Sequence, residues 1–363
     1  MNEQRKFWAR LLAVLLIVCA GIVPGRQAPS ARAAAAKQNA DGADMETKIT
    51  ISAAGDCTFG SDRITSSSVN FDAVYRRQKD SSYFFKKVKK YFAKDDMTIV
   101  NFEGTLTKRT TRADKKFAFK GDPGYANILK KGSVEAVGFA NNHCRDFGDG
   151  SYTDTIECFK KNEIVYSSYS RLGIYKVKDK KIGMISVNGL EGTAASKQLI
   201  HNGLKKLKEK KTDLCIVNMH AGIEYQTTPS GDQRAVARYA VDEGADLVLG
   251  HHPHILQGVE QYKGSYIVYS LGNFCFGGNS NPSDKDTMIF QQMFVFQGGK
   301  LKKSRSTAKV IPCSLSSASG INNYQPMPAT GEKRTRIVQK IDRLCRPLGL
   351  KVQKNGIIGK NQH

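Results

Sequence analysis

The chain has 363 residues, with 56 lysines and arginines against 33 aspartates and glutamates and a formal net charge of +23. That length holds one large α/β domain or two small ones and buries a core of its own. The basic excess suggests a polyanion nearby, such as anionic lipid headgroups, an acidic cell-wall or capsule polymer, or nucleic acid, although a generally basic secreted protein has the same balance. Nucleic acid is set aside, because there is no aromatic-plus-basic RNA motif and the single tryptophan, Trp8, lies in the N-terminal leader.

Residues 1–36 read as a signal peptide or membrane anchor. Arg5, Lys6 and Arg10 make a positive start, Leu11 to Val23 is an apolar run of 13 residues, Pro24-Gly25 breaks it, and Ala31 to Ala36 offers small-residue cleavage sites. A spanning helix needs about 20 apolar residues, so the run favours a cleaved leader. Residues 37–47 are polar and Ala/Gly-rich and read as a linker. The eight cysteines are scattered with no Cys-x-x-Cys pair, which excludes zinc-ribbon and thioredoxin-type readings. If Cys19 leaves with the leader, seven remain and at least one thiol is free. Cys57, Cys144 and Cys275 lie beside candidate motifs and could be ligands, but scattered cysteines are more often small buried hydrophobes.

The first strand is expected over Lys48–Ala54, and it delivers Gly55-Asp56-Cys57-Thr58. A carboxylate after a strand, flanked by glycines, suits a cation or phosphate site, and is also ordinary turn chemistry. Tyr83–Phe92 has helical spacing, with Phe84, Phe85, Val88, Tyr91 and Phe92 on one face and lysines on the rest. Met97–Val100 is a second strand ending in Asn101-Phe102-Glu103, where Asn101 and Glu103 point the same way if extended. A short strand and turn at 117–121 and a helix at 126–132 follow. A third strand, Val134–Ala140, leads to Asn141-Asn142-His143-Cys144-Arg145-Asp146. Asn142 offers a metal-ligating oxygen, His143 a proton donor and Asp146 a group to orient it; a capped Asn-rich loop is the plain alternative.

Helices are expected at 152–162, 199–211 and 233–242, with strands at 180–188 and 213–219, the latter ending at His220. Leu247–Leu249 is a short buried strand followed by Gly250-His251-His252-Pro253-His254. His252 and His254 are two apart, so they share a side if extended and can converge if looped. A strand at 265–270 leads to Leu271-Gly272-Asn273-Phe274. Beyond residue 300 the composition turns basic, and 301–363 reads as a basic C-terminal extension to a domain over 48–300. Its helix, Glu332–Pro347, could dock through Ile337, Ile341 and Leu344. The repeated order of strand, polar loop and helix is an α/β layout with its site at the C-terminal strand ends. Six ligand-type groups sit after apolar strands: Asp56, Glu103, Asn142, His220, His252 and His254. Their joint placement is the strong signal.

At these residues the chain resembles the calcineurin-like metallophosphoesterases and, in detailed wording, the CapA family associated with poly-γ-glutamate capsule synthesis. Gly55-Asp56, Asn101-Phe102-Glu103, Asn141 to Gly148, His220-Ala221-Gly222-Ile223-Glu224-Tyr225, Gly244-Ala245-Asp246, Gly250 to His254 and Tyr269 to Phe276 carry the resemblance, in the family's order. It implies a metallophosphoesterase-like layered sandwich of sheets and helices. It also implies that Asp56 and His254 hold one metal, that Asn142, His220 and His252 hold another, and that Glu103 bridges them. His143 would be the proton donor, while His251, Asn101 and Asn273 would stand behind the ligands. Two metals about 3.5–4 Å apart activate water and polarise a scissile group. The mixed ligands suit one or two Mn, Fe or Zn ions. Three departures stand out. Thr58 stands where metallophosphoesterases usually carry the imidazole of Asp-x-His, Glu103 where they usually carry a bridging Asp, and Ala221 where the CapA family often carries a Trp.

The resemblance, the leader and the charge together favour an extracytoplasmic protein, secreted or anchored to the outer membrane face. It would act in synthesis, export or trimming of an anionic polymer, poly-γ-glutamate first among the candidates. Its partners would be that polymer and a membrane surface or membrane synthesis complex. A non-catalytic polymer-binding scaffold and a secreted metallophosphoesterase are the alternatives.

Overall fold

Two mixed β-sheets account for most of the apolar runs in residues 45–62 and 67–360, the part of the chain described by the computed structural model. The leader expected over 1–36 lies outside the described residues, as does most of the expected linker. The linker's last residues, Glu46 and Thr47, already belong to the first strand.

Strands β1 (Glu46–Thr58), β2 (Met97–Phe102), β3 (Ala136–Gly138) and β4 (Val165–Ser167) run parallel and adjacent in one nine-stranded sheet. The chain then builds a six-stranded sheet from β5 (Gly173–Val177), β6 (Lys180–Asn188), β7 (Leu214–His220), β8 (Leu247–His251), β9 (Val259–Tyr262) and β10 (Ser265–Val268). Their spatial order is β9-β10-β8-β7-β6-β5, with β6, β7, β8 and β10 parallel. The chain returns to the first sheet with β11 (Asn273–Phe276), parallel to the end of β1, then β12 (Asp286–Gln297) and β13 (Thr307–Ser314), both antiparallel additions.

Side-chain alternation along these strands divides the core. Ile49, Ile51 and Ile99 of the first sheet pack in one cluster with Ile216, Leu247 and Leu249 of the second. Their neighbours Val100, Val217 and Val248 point the opposite way. Val100 and Phe102 meet helices α1 (Phe71–Gln78), α2 (Lys89–Phe92), α3 (Asn127–Gly132) and α4 (Gly148–Lys161) through Phe71, Phe92, Leu129 and Phe159. Val217 and Val248 meet α5 (Thr193–Glu209) and α6 (Gly231–Asp242) through Leu204, Leu207, Val236 and Ala240. Strands covered on both faces read as continuous apolar runs, which is why Leu247–Leu249 shows no polar alternation. Each fully buried Phe or Leu contributes about 1.5–3 kcal/mol.

Two expectations are corrected. Tyr83–Phe92 is not one helix: a 3₁₀ turn at Ser81–Tyr83 and a run of turns precede α2. Phe84 and Phe85 are consecutive and both fully buried, and burying two successive rings along with Val88 and Phe92 is poorly served by one regular helical stripe. The boundary at residue 300 falls inside the hairpin formed by the end of β12 and Lys300–Leu301. Beyond it, β13 pairs with β12 over eight residues, and helix α7 (Gly331–Cys345) sinks Ile337, Ile341 and Cys345 into the core between the sheets. Leu344 packs against the same cluster. Met45 to the C-terminus is therefore one unit. β12 itself had no counterpart in the sequence reading.

Candidate metal centre

The parallel strands of both sheets end on the same cluster of polar groups. Asp56 lies near the end of β1, in register with Asn101 on β2 and Asn273 on β11. His220 ends β7, in register with His251 at the end of β8. Glu103 follows β2, and Asn142 and His143 lie in the loop after β3. Gly55 is what lets β1 bend into place: a Cβ there would stand 1.8 Å from the Gly272 carbonyl oxygen, to which the Asp56 amide nearby donates at 3.0 Å. The loop after β8 folds back on itself. His252 and His254 have φ of 98° and 60°, left-handed values that cost non-glycine residues about 1–3 kcal/mol each. This backbone brings the two rings to within 5.9 Å of each other, and His252 to within 4.9 Å of His220.

The interior of the site is rich in buried acceptors. Asn101 Nδ2 donates to Asp56 Oδ1 at 2.8 Å, while His251 Nδ1 and His254 Nδ1 stand 3.4 Å from the two Asp56 oxygens. Asn273 Oδ1 lies 3.0 Å from His254 Nδ1. His220 Nε2 is 2.9 Å from Asn142 Oδ1 and 3.7 Å from Glu103 Oε1. His143 Nδ1 meets Asp146 Oδ2 at 2.6 Å, and its Nε2 is 3.8 Å from Glu103 Oε1. Asp146 is also held by Lys115 Nζ at 2.8 Å and by the Phe119 amide at 2.6 Å. The Phe119 ring lies 4.4 Å from the His143 ring, centroid to centroid.

These contacts leave both oxygens of Glu103, Oδ2 of Asp56 and Nδ1 of His252 buried without a hydrogen bond. An ionised carboxylate in that position costs several kcal/mol unless a cation meets it. Burial accordingly pushes Glu103 up to about 8, with His254 opposing and the charges of Asp56 and Asp146 adding. Burial would also raise Asp56, but His251 and His254 override it and hold it well below the carboxylate range. Burial pulls His254 down, yet Glu103, Asp56 and Asn273 lift it to about 9. Burial, and then the charge of His254, brings His252 to about 4, and burial followed by its histidine neighbours takes His220 well below its ordinary value. His143 is lowered by burial against the pull of Asp146. Burial thus favours neutral His220 and His252, the form in which imidazole ligates a metal, and makes the Glu103 carboxylate costly to ionise unless a cation meets it. The donor set fits a divalent cation.

Ligand atoms of Asp56, Glu103 and His220 lie within 4.8 Å of one another, and so do those of Glu224, His252 and His254. The structure therefore gathers Asp56, Asn101, Glu103, Asn142, His143, Asp146, His220, His251, His252, His254 and Asn273 into one site. Two residues there were not singled out from the sequence. Glu224 stood inside the His220–Tyr225 segment that carries the family resemblance, but was given no role there. Lys115 is one lysine among many and carried no signal. Thr58 is buried, and its Oγ1 has no hydrogen-bond partner. The thiols are not ligands: Cys57, Cys144 and Cys275 are buried in the phenylalanine-rich cluster, and burial raises each above its ordinary value.

Residues 50–278 match the model of the family described as bacterial capsule synthesis protein PGA_cap. Every residue of the site, Glu224 included, lies inside that range. Among curated proteins, the chain is similar to the PGA biosynthesis protein CapA of Bacillus subtilis (strain 168), at 34% identity over 221 residues, covering 55% of this chain and 58% of that protein. It is likewise similar to the capsule biosynthesis protein CapA of Bacillus anthracis, at 32% identity over 226 residues, covering 54% of each. The chain spans about half the length of these curated relatives.

Proposed function

The chain belongs to the bacterial capsule synthesis protein PGA_cap family, and from that premise we propose that it acts on an anionic capsule polymer, poly-γ-glutamate, through a metal-dependent hydrolase-like site. The observation that carries the proposal is the buried, hydrogen-bond-free Glu103 carboxylate at the convergence of Asp56, Asn142, His220 and His143. The stacking of helix, sheet, sheet and helix clusters supports a metallophosphoesterase-like sandwich. The net charge of +23 supports an acidic polymer as partner. The apolar leader supports action outside the cytoplasmic membrane, at the membrane surface or with a membrane synthesis complex.

Asp56, Glu103, Asn142, His220, His252 and His254 would hold one or two divalent ions. When bound, such ions supply Lewis acidity toward a scissile carbonyl and make water nucleophilic near neutral pH. The remaining steps belong to the chain. Asp146, fixed by Lys115 and the Phe119 amide, accepts the Nδ1–H of His143, so the free Nε2 is the ring atom that can take a proton from the attacking water and pass it to the leaving amine. Asn273 holds His254 through Nδ1 and leaves Nε2 for ligation. Phe119 against His143 limits water at the ring.

The test is metal analysis of the purified chain and its His252→Ala form, followed by polymer sizing. Bound metal that is lost in the variant, together with polymer shortening, supports the proposal. Absence of polymer binding at moderate salt refutes the substrate class. Thr58 in place of an imidazole favours a second reading, a non-catalytic polymer-binding scaffold subunit of a membrane synthesis complex. Full capsule output from a His143→Ala/His252→Ala double variant would select it.

A further inference from the structure

We propose that the groove between α7 and the C-terminal hairpin, in which Leu350–Val352 pairs with Ile358–Lys360, is a docking track for the carboxylates of the anionic polymer, sharing no residue with the metal centre. The inference rests on the polymer reading above and adds a binding surface to it.

Charge is the first observation. Residues 301–363 hold 13 lysines and arginines against 2 acidic residues, and so supply +11 of the chain's +23. They lie beyond the 50–278 that match the family, so this charge belongs to the chain's own C-terminal part. The second observation is a place that receives an anion. Between α7 and the hairpin lies a cavity of about 650 Å³ whose walls carry Arg334, Arg346, Lys351 and Lys354. Its one acidic group, Asp342, is buried and already satisfied. Oδ2 accepts from Arg346 Nε at 2.8 Å, and Oδ1 accepts from the Val352 amide at 2.9 Å. Arg346 is thereby neutralised, while Arg334, Lys351 and Lys354 have no carboxylate partner among the described residues. Arg334 Nη1 donates to the Lys354 carbonyl at 2.8 Å, which holds the guanidinium across the groove from helix to hairpin. Three unpaired cations around one cavity repel one another, and a polyanion lying among them removes that repulsion.

The third observation is the shape of the occupant that fits. The groove is floored by Val338 and Val352, both buried. Poly-γ-glutamate carries a carboxylate and a pair of main-chain methylenes in every repeat, so its methylenes can lie on the valines while its carboxylates meet the cations. A repeating carboxylate also engages several cations at once, which raises avidity without any strong single contact. The opposite flank of α7 reaches the metal centre. Arg336 and Lys340 pair with Asp286, and Lys340 also pairs with Asp284 at 2.6 Å. Asp284 lines a small cavity together with Tyr225, His254 and Asn273. Exposed Arg343 stands on the helix surface between the two flanks and continues the positive face. One helix thus carries the groove on one side and braces the edge of the site with the other, so polymer held in the groove is tethered to an element that borders the site.

The experiment measures binding of purified poly-γ-glutamate to the full chain, to Lys351→Glu/Lys354→Glu and, as a control of equal charge change, to Lys205→Glu/Lys206→Glu on α5. Both lysine pairs are exposed, so all three proteins should melt alike and bind the same metal, which separates loss of docking from misfolding. Affinity is read by calorimetry at low and at physiological salt, beside phosphatidylglycerol vesicles as the competing anionic surface. The expected result is polymer binding weaker by about 10-fold or more in the groove variant, with a shallower salt dependence, and within about twofold of the wild type in the control. Equal losses in the two variants, or no loss in the groove variant, overturn the inference and leave the substrate class standing. Vesicle binding that the groove variant loses, with polymer binding unchanged, assigns the groove to lipid and likewise overturns it. A wild type that binds no polymer overturns both the inference and the substrate class.

Discussion

Glu135 offers a test of the electrostatics at the end of the sheet opposite the metal centre. It precedes β3, and its Oε2 accepts the Thr98 amide at 2.7 Å. Burial raises its carboxyl to about 7, the Thr98 amide opposing and nearby Asp95 adding; burial likewise raises Asp95 to about 6. A folded-state value above the unfolded one means that the folded chain holds the proton more tightly. The stability this confers is full below about pH 4.5 and is lost as pH rises through about 7. Moving from 4.5 to about 7 corresponds to about 3 kcal/mol. Glu135 is only partly buried, so solvent screening reduces the expected effect to about 1–2 kcal/mol. Glu135→Gln keeps an oxygen for the Thr98 amide but carries no charge. Thermal melts of both proteins from pH 4.5 to 8 should coincide at the acid end and diverge above pH 6, the variant melting higher by about 1.5–3 °C at pH 8. A variant that is less stable at pH 8, or a difference that does not change with pH, would refute the assignment of buried charge to Glu135.

Other expectations follow from single contacts. His252→Ala should lose bound metal, measured by elemental analysis, with little change in the melting temperature of the stripped protein, because alanine keeps the same backbone strain at φ 98° while removing a buried imidazole whose Nδ1 has no partner. Asp146→Asn should keep an acceptor for the Phe119 amide yet reduce polymer cleavage by about 10²–10³, because His143 loses the carboxylate that orients Nδ1. Ile341→Ala, at a fully buried core position in α7, should cost about 2–5 kcal/mol. It should also shift a single denaturant transition; two separate transitions would show that 301–360 unfolds on its own.

Residues that make local structure were legible in order. Leu247–Leu249, Lys180–Asn188 and Asp213–Met219 announce buried parallel strands because both faces are covered and their centres are short apolar runs, Leu247–Leu249 without a polar residue. Asp56, Glu103, Asn142, His220, His252 and His254 stood out because polar groups with ligand chemistry repeatedly follow such runs. The period of strand, loop and helix is a local property, so it is written in the chain. β12 was missed although Met288–Phe290 and Met293–Phe296 before the Gly298-Gly299 turn carry a local strand signal; what the sequence does not carry is its pairing with β1, more than 200 residues earlier. The basic residues beyond 300 hid a strand, and the helix read at Glu332–Pro347 found the place for its apolar face only once β13 and β9 were there to receive it. Glu224 looked like one exposed carboxylate among many until two backbone hydrogen bonds laid its loop against His252 and His254. The raised pKa values of Glu103, Asp95 and Glu135 likewise come from groups distant in sequence closing over them. The sequence alone determined which residue types stand at the ends of which strands, because strand burial and turn chemistry act over a few neighbours. The tertiary structure alone decided which of those groups meet and what charge they can carry, because desolvation and ligand convergence depend on two sheets packing face to face.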